Sequence, residues 1–187
     1  HKMDASTGSG VVFKRGGFPD MTGHALGGGT AEYVSFDEYQ LFADYNSIEA
    51  GTPNIAGVHS LGAAAKWINE IGYQTIQENE AEFFNMLRDK GLFDIKGMKL
   101  IGPMGPRSVY SFIIEDCNPS DLAGFISFDK VCVRTGHMCA QPASRRYNKD
   151  NTGVFRVSSA PYNNESDCVK LVEGIWKAMD KIVSKTK

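Results

Sequence analysis

In the run Val133-Arg134-Thr135-Gly136-His137-Met138-Cys139-Ala140-Gln141-Pro142, a guanidinium, an imidazole and a thiol fall between positions 134 and 139. Cationic neighbours favour the ionised form of a thiol, which is the form that attacks electrophiles. On residue chemistry alone Cys139 has two readings. It is a thiolate nucleophile, or it is a small apolar residue in a loop, which is the commoner fate of a cysteine outside a disulfide. A zinc site needs three or four ligands, and His137 and Cys139 have no second pair at a workable spacing, so no metal is expected. Cys117, Cys132 and Cys168 show no Cys-x-x-Cys spacing, and four cysteines in 187 residues is sparse for a disulfide scaffold. All four are read as reduced thiols, and the cytoplasm is the expected compartment.

The chain that must position these groups is 42% hydrophobic, 11% aromatic and 22% charged, the composition of a folded domain with a sizeable core. Twenty-two acidic and 20 basic residues leave a net charge of −2, and Lys and Arg form no stripe of the kind that binds a phosphate backbone. Nucleic acid is therefore not an expected partner. Neither is a membrane: the longest nearly uncharged apolar stretch, residues 55–65, is too short to span one. His1-Lys2-Met3-Asp4 does not lead into an apolar run, so no signal peptide is expected.

Residues 10–14 read as a short strand, closed by the turn residues Gly16-Gly17-Phe18-Pro19-Asp20. Gly27-Gly28-Gly29 marks a flexible loop or a backbone in close approach to a ligand or another chain. Thr52 is placed to cap a helix with Pro53 in its first position, and Ile55, Val58, Leu61, Ala65, Ile68 and Ile71 give it one apolar face before Gly72. A second helix is expected over 75–90, closed by Gly91. The period then changes: 98–101, 109–114, 131–133 and 154–157 read as strands, with a short helix over 120–128. A last helix opens at Asn164 with Asp167 in a capping-box position and carries Cys168, Leu171, Val172, Ile175, Met179, Ile182 and Val183 on one face. The second half is expected to be a small α+β domain with helices on one side of a mainly antiparallel sheet.

The 134–142 segment resembles the active-site loop of group II cysteine desulfurases and selenocysteine lyases, relatives of the class V aminotransferases, which carry Arg-Thr/Ser-Gly-His-His-Cys-Ala-x-Pro; here Met138 replaces the second His. The resemblance continues in register through Gly27-Gly28-Gly29, Glu49-Ala50-Gly51-Thr52-Pro53-Asn54 and Phe155-Arg156-Val157-Ser158-Ser159. It begins with His1-Lys2-Met3-Asp4-Ala5-Ser6-Thr7-Gly8-Ser9-Gly10, where Lys2 falls on the lysine that holds pyridoxal 5′-phosphate.

The resemblance implies an α/β chain, the C-terminal part of a fold-type I, pyridoxal-phosphate-dependent transferase. Residues 1–72 would be the end of the large cofactor-binding domain with a connecting helix, and 73–187 the small C-terminal domain. The rest of such an enzyme would supply most of a parallel sheet, the side chain stacked on the cofactor and the aspartate at its pyridine nitrogen. The implied activity is conversion of L-cysteine, or a related amino acid, to L-alanine with a persulfide left on Cys139.

Lys2 and Cys139 would be the catalytic pair. Arg156 would bind the substrate carboxylate, with Arg134 and His137 beside the thiolate. His1, Gly51 and Thr52 would contact the cofactor, Thr52 reaching its phosphate across a homodimer. A sulfur-acceptor protein is a candidate partner. The alternatives are a class V aminotransferase or other lyase in which Cys139 is a bystander, and a catalytically inactive dimerisation module.

Overall fold

The computed structural model describes residues 2–16, 23, 25–115, 117–148 and 152–185. It divides into two compact units, His1–Gly72 and Tyr73–Lys187.

The first unit holds a hairpin, β1 (Ala31–Val34) and β2 (Tyr39–Leu41), and a long helix, α1 (Ile55–Ile71). The hairpin was not expected from the sequence; Ser35 makes its turn, accepting the Asp37 and Glu38 N–H groups on its hydroxyl. Residues 10–14 are not a strand. A strand needs a neighbour for its backbone groups, and among the described residues β1 and β2 pair only with each other. Val11, Val12 and Phe13 are exposed instead. The expected turn at 17–20 lies outside the described residues.

Helix α1 starts two residues later than Thr52 and Pro53 suggest. Asn54 is its cap, accepting the Gly57 N–H at 3.0 Å, and Gly72 ends it with φ +84°. The glycine run supports the same region: the Gly51 N–H donates to the Gly28 carbonyl at 2.8 Å.

In the second unit, β3 (Met98–Leu100), β4 (Val109–Ile114), β5 (Arg134–Gly136) and β6 (Val154–Ser158) form an antiparallel sheet in the order β3-β4-β6-β5. Alternation along β4 and β6 sends Tyr110, Phe112, Ile114, Phe155 and Val157 to one face. There they meet α2 (Tyr73–Asp89), α3 (Pro119–Ser127) and α5 (Glu165–Lys185) in one core with Leu87, Leu92, Leu122, Ile126 and Ile175. Ser111 and Arg156 point to the other face.

Helix α5 opens as its sequence pattern requires. The Asn164 side chain accepts the Ser166 N–H at 2.9 Å, and Asp167 accepts the Asn164 N–H at 3.2 Å. The Val183 side chain lies outside the described residues.

The expected strand at 131–133 is displaced. Val131 and Val133 pack against the core as partly buried connectors, and the ladder to β6 begins only at Arg134. Cys132, on this connector, is exposed, whereas Cys168 is buried. A further helix, α4 (Gln141–Tyr147), follows the Cys139 turn.

Candidate active site

Strand β5 and the turn after it build the site on the open face of the sheet. Arg134 lies directly opposite Arg156 in the β5–β6 register, so the two side chains share one face. Like charges placed directly opposite one another are unfavourable. The Nε of Arg156 is also buried without a hydrogen-bond acceptor, and a buried unpaired donor costs about 1–3 kcal/mol. An anion between the two guanidiniums relieves both penalties, and a carboxylate matches the planar fork of an arginine.

Beyond β5 the chain reverses in four residues. The Ala140 N–H donates to the His137 carbonyl at 2.8 Å, and the two central residues, Met138 and Cys139, have φ +54° and +60°. That is the φ signature of a type I′ turn. Non-glycine residues in this region cost roughly 1–2 kcal/mol each. The strained turn presents Cys139 at the surface, where Arg134 Nη2 donates to its sulfur at 3.6 Å.

His137 is half-buried, with Nδ1 at 3.2 Å from the hydroxyl of Ser144 on α4. Gly153 sits so close to Gly136 that a Cβ there would overlap the Gly136 backbone, which ties the end of β5 to the start of β6. Cys168 offers a contrast: burial pushes its thiol up to about 11, with Lys90 opposing and Glu165 adding to the rise. Among the described residues no group of three or more His, Cys, Asp or Glu side chains could hold a metal ion.

Arg134, Cys139 and Arg156 are thus brought together, with His137 next in the chain. Ser144 was not foreseen; Pro142 in the first turn of α4 is the signal that announces the helix carrying it. The other expected site residues belong to the first unit. Lys2, Gly51 and Thr52 are all exposed there. Gly51 has φ +80° and spends its N–H on Gly28, and Thr52 does not cap α1. His1 lies outside the described residues.

The class-V aminotransferase family model matches residues 1–171, and the chain belongs to that family. A probable cysteine desulfurase of Halalkalibacterium halodurans is 33% identical over 181 residues, which cover 96% of this chain and 44% of the relative. A cysteine desulfurase of Yersinia pestis is 31% identical over 179 residues, covering 95% and 43%. The crystal structure of the cysteine desulfurase CsdA (S-sulfonic acid) from Escherichia coli superposes with a TM-score of 0.77 at 27% identity, over 87% of this chain and 40% of that one. The apo cysteine desulfurase of Thermococcus onnurineus gives a TM-score of 0.75 at 28% identity, over 84% and 39%. The chain therefore spans less than half the length of the relatives it matches, and its α/β fold agrees with the C-terminal portion of such an enzyme.

Proposed function

We propose that the chain is the C-terminal portion of a group II cysteine desulfurase acting on L-cysteine or selenocysteine. The observation that carries this reading is the convergence of Arg156, Arg134 and an exposed, strained Cys139 on one face of the sheet. The donor set suits pyridoxal 5′-phosphate and an amino-acid substrate: an exposed primary amine at Lys2, the Thr52 hydroxyl, and an orphaned guanidinium Nε at Arg156. Lys2 would hold the cofactor covalently, and Thr52 would take its phosphate, from the partner subunit of a homodimer. Gly51 is the weaker phosphate contact, because its N–H is already bonded to Gly28. When bound, the cofactor supplies the electron sink that lets the substrate α-carbon carry negative charge.

The chain's own residues do the rest. Arg156 binds the substrate carboxylate and fixes its orientation. Arg134 donates to the Cys139 sulfur at 3.6 Å and orients it, and Cys139 reacts as the thiolate. That thiolate attacks the substrate sulfur: a sulfur–sulfur bond forms, the substrate carbon–sulfur bond breaks, and its electron pair leaves with the carbon skeleton, which takes up a proton to become alanine. The protein keeps the extra sulfur as a persulfide on Cys139, ready for an acceptor thiol. No external oxidant is needed, because the substrate carbon is reduced as the sulfur is oxidised. Met138 leaves this turn with one imidazole, that of His137, as the nearby proton carrier.

Alanine formation from L-cysteine tests the reading. Cys139→Ala is expected to abolish it, whereas Arg156→Ala raises KM, the loss of a charge-assisted contact being worth about 1.5–3 kcal/mol. Full turnover by Cys139→Ala would favour the lyase alternative.

A further inference from the structure

Asn54 does more than cap α1. Its Oδ1 accepts the Gly57 N–H, and its Nδ2 donates to the Gly8 carbonyl at 3.0 Å, a residue 46 positions away. Farther along the same helix, the Ser60 hydroxyl accepts the backbone N–H of Ser6 at 2.9 Å, across 54 positions. Asn54, Gly57 and Ser60 recur every three residues and so share one helix face. Gly57 is buried in that face; a Cβ there would overlap the Asn54 amide and lie 3.1 Å from the Ser9 Cβ. Gly8 holds φ +85°, a conformation open to glycine. The first turns of α1 therefore form a cradle for residues 6–9.

Capping requires only an acceptor, which Asp or Ser provides as well as Asn. The Asn54 Nδ2 donor has no part in the cap, and its partner lies in the segment that leads back to Lys2. Lys2 lies four positions before Ser6, and an extended chain covers at most about 3.6 Å per residue, so anchoring Ser6 confines the lysine to within about 14 Å of it. We propose that Asn54 and Ser60 are positioning residues for Lys2: they clamp residues 6–9 onto α1 and so fix where the cofactor lysine emerges. The proposal rests on the reading of Lys2 as the lysine that carries pyridoxal phosphate.

Asn54→Asp separates the two jobs, because a carboxylate keeps the cap and loses the donor. The test compares wild type, Asn54→Asp and Ser60→Ala by thermal unfolding and by hydrogen exchange of residues 6–9. Peptide mapping of the lysines labelled by pyridoxal phosphate after borohydride reduction completes it. Asn54→Asp is expected to keep the wild-type unfolding midpoint while exchange at 6–9 rises several-fold and the share of label on Lys2 falls several-fold; Ser60→Ala moves both in the same direction. Wild-type exchange and labelling in Asn54→Asp would reduce Asn54 to a cap and overturn the proposal. Faster exchange with undiminished Lys2 labelling would overturn it equally. A wild-type protein protected at 6–9 but labelled indifferently on all its lysines would uphold the clamp and remove Lys2 as the cofactor lysine.

Discussion

The two units of this chain differ in where their apolar side chains go. Between 73 and 187 the apolar residues of α2, α3, α5, β4 and β6 close into one core in which Leu87, Phe112, Phe155 and Ile175 have no exposed surface. In the first unit, Ala64 is the single apolar side chain buried among the described residues, while Val12, Phe13 and Phe36 are 73%, 84% and 108% exposed. The contacts that order the first unit are instead individual hydrogen bonds, among them the Asn54–Gly8 bond and the Gly28–Gly51 link, which are too few to stand in for a core. The contrast matters for chemistry. The thiol and its arginines stand on a surface held rigid by a core, whereas the lysine segment depends on a few directional bonds.

Expressing the two units apart separates a chain segment that owns a core from one that does not. Residues 73–187 alone are expected to unfold in one cooperative thermal transition with dispersed amide resonances, and residues 1–72 alone to show no such transition. A cooperative transition for the first unit would mean that its stability does not need more apolar burial than it has. A smaller effect of the same origin is read from point substitutions. Leu87→Ala should destabilise by about 2–5 kcal/mol by leaving a cavity, and Val12→Ala by no more than about 0.5 kcal/mol, both measured by urea denaturation.

Within the second unit the thiols divide between surface and core. Iodoacetamide near neutral pH should alkylate Cys139 and leave Cys168 untouched until the protein unfolds, with peptide mapping as the readout. The Cys168 thiol ionises at about 11 in the folded chain, above its ordinary value of 9.0. Between those values the unfolded state holds fewer protons, so the stability this thiol contributes is complete below pH 9 and is lost as pH rises through 11. Cys132, exposed and outside any strand, is the competitor to watch in such a map.

Much of this was legible in the sequence where one local signal sufficed. The alternation of 109–114 marks β4, the Asn164–Asp167 box opens α5, and Gly72 and Gly91 follow the ends of α1 and α2. What was not legible depended on partners. The run 10–14 has strand composition and, among the described residues, no strand beside it, and 131–133 yields its place in the ladder to 134–136 because β6 sets the register. That shift places Arg134 opposite Arg156, so the residue types of the site could be read from the motif but not their pairing. The β1–β2 hairpin is short and largely exposed, with too little burial to impose a pattern on its residues.

In the proposed reaction Cys139 takes sulfur from an amino-acid substrate. Its most direct test is to supply the pyridoxal-phosphate-loaded protein with L-cysteine in the absence of reductant, trap persulfides with an alkylating reagent, and locate the added sulfur by peptide mass spectrometry. One extra sulfur is expected on the peptide containing Cys139, none on those containing Cys117, Cys132 or Cys168, and none anywhere in Cys139→Ala. Alanine released in full with no extra sulfur at Cys139 would contradict it.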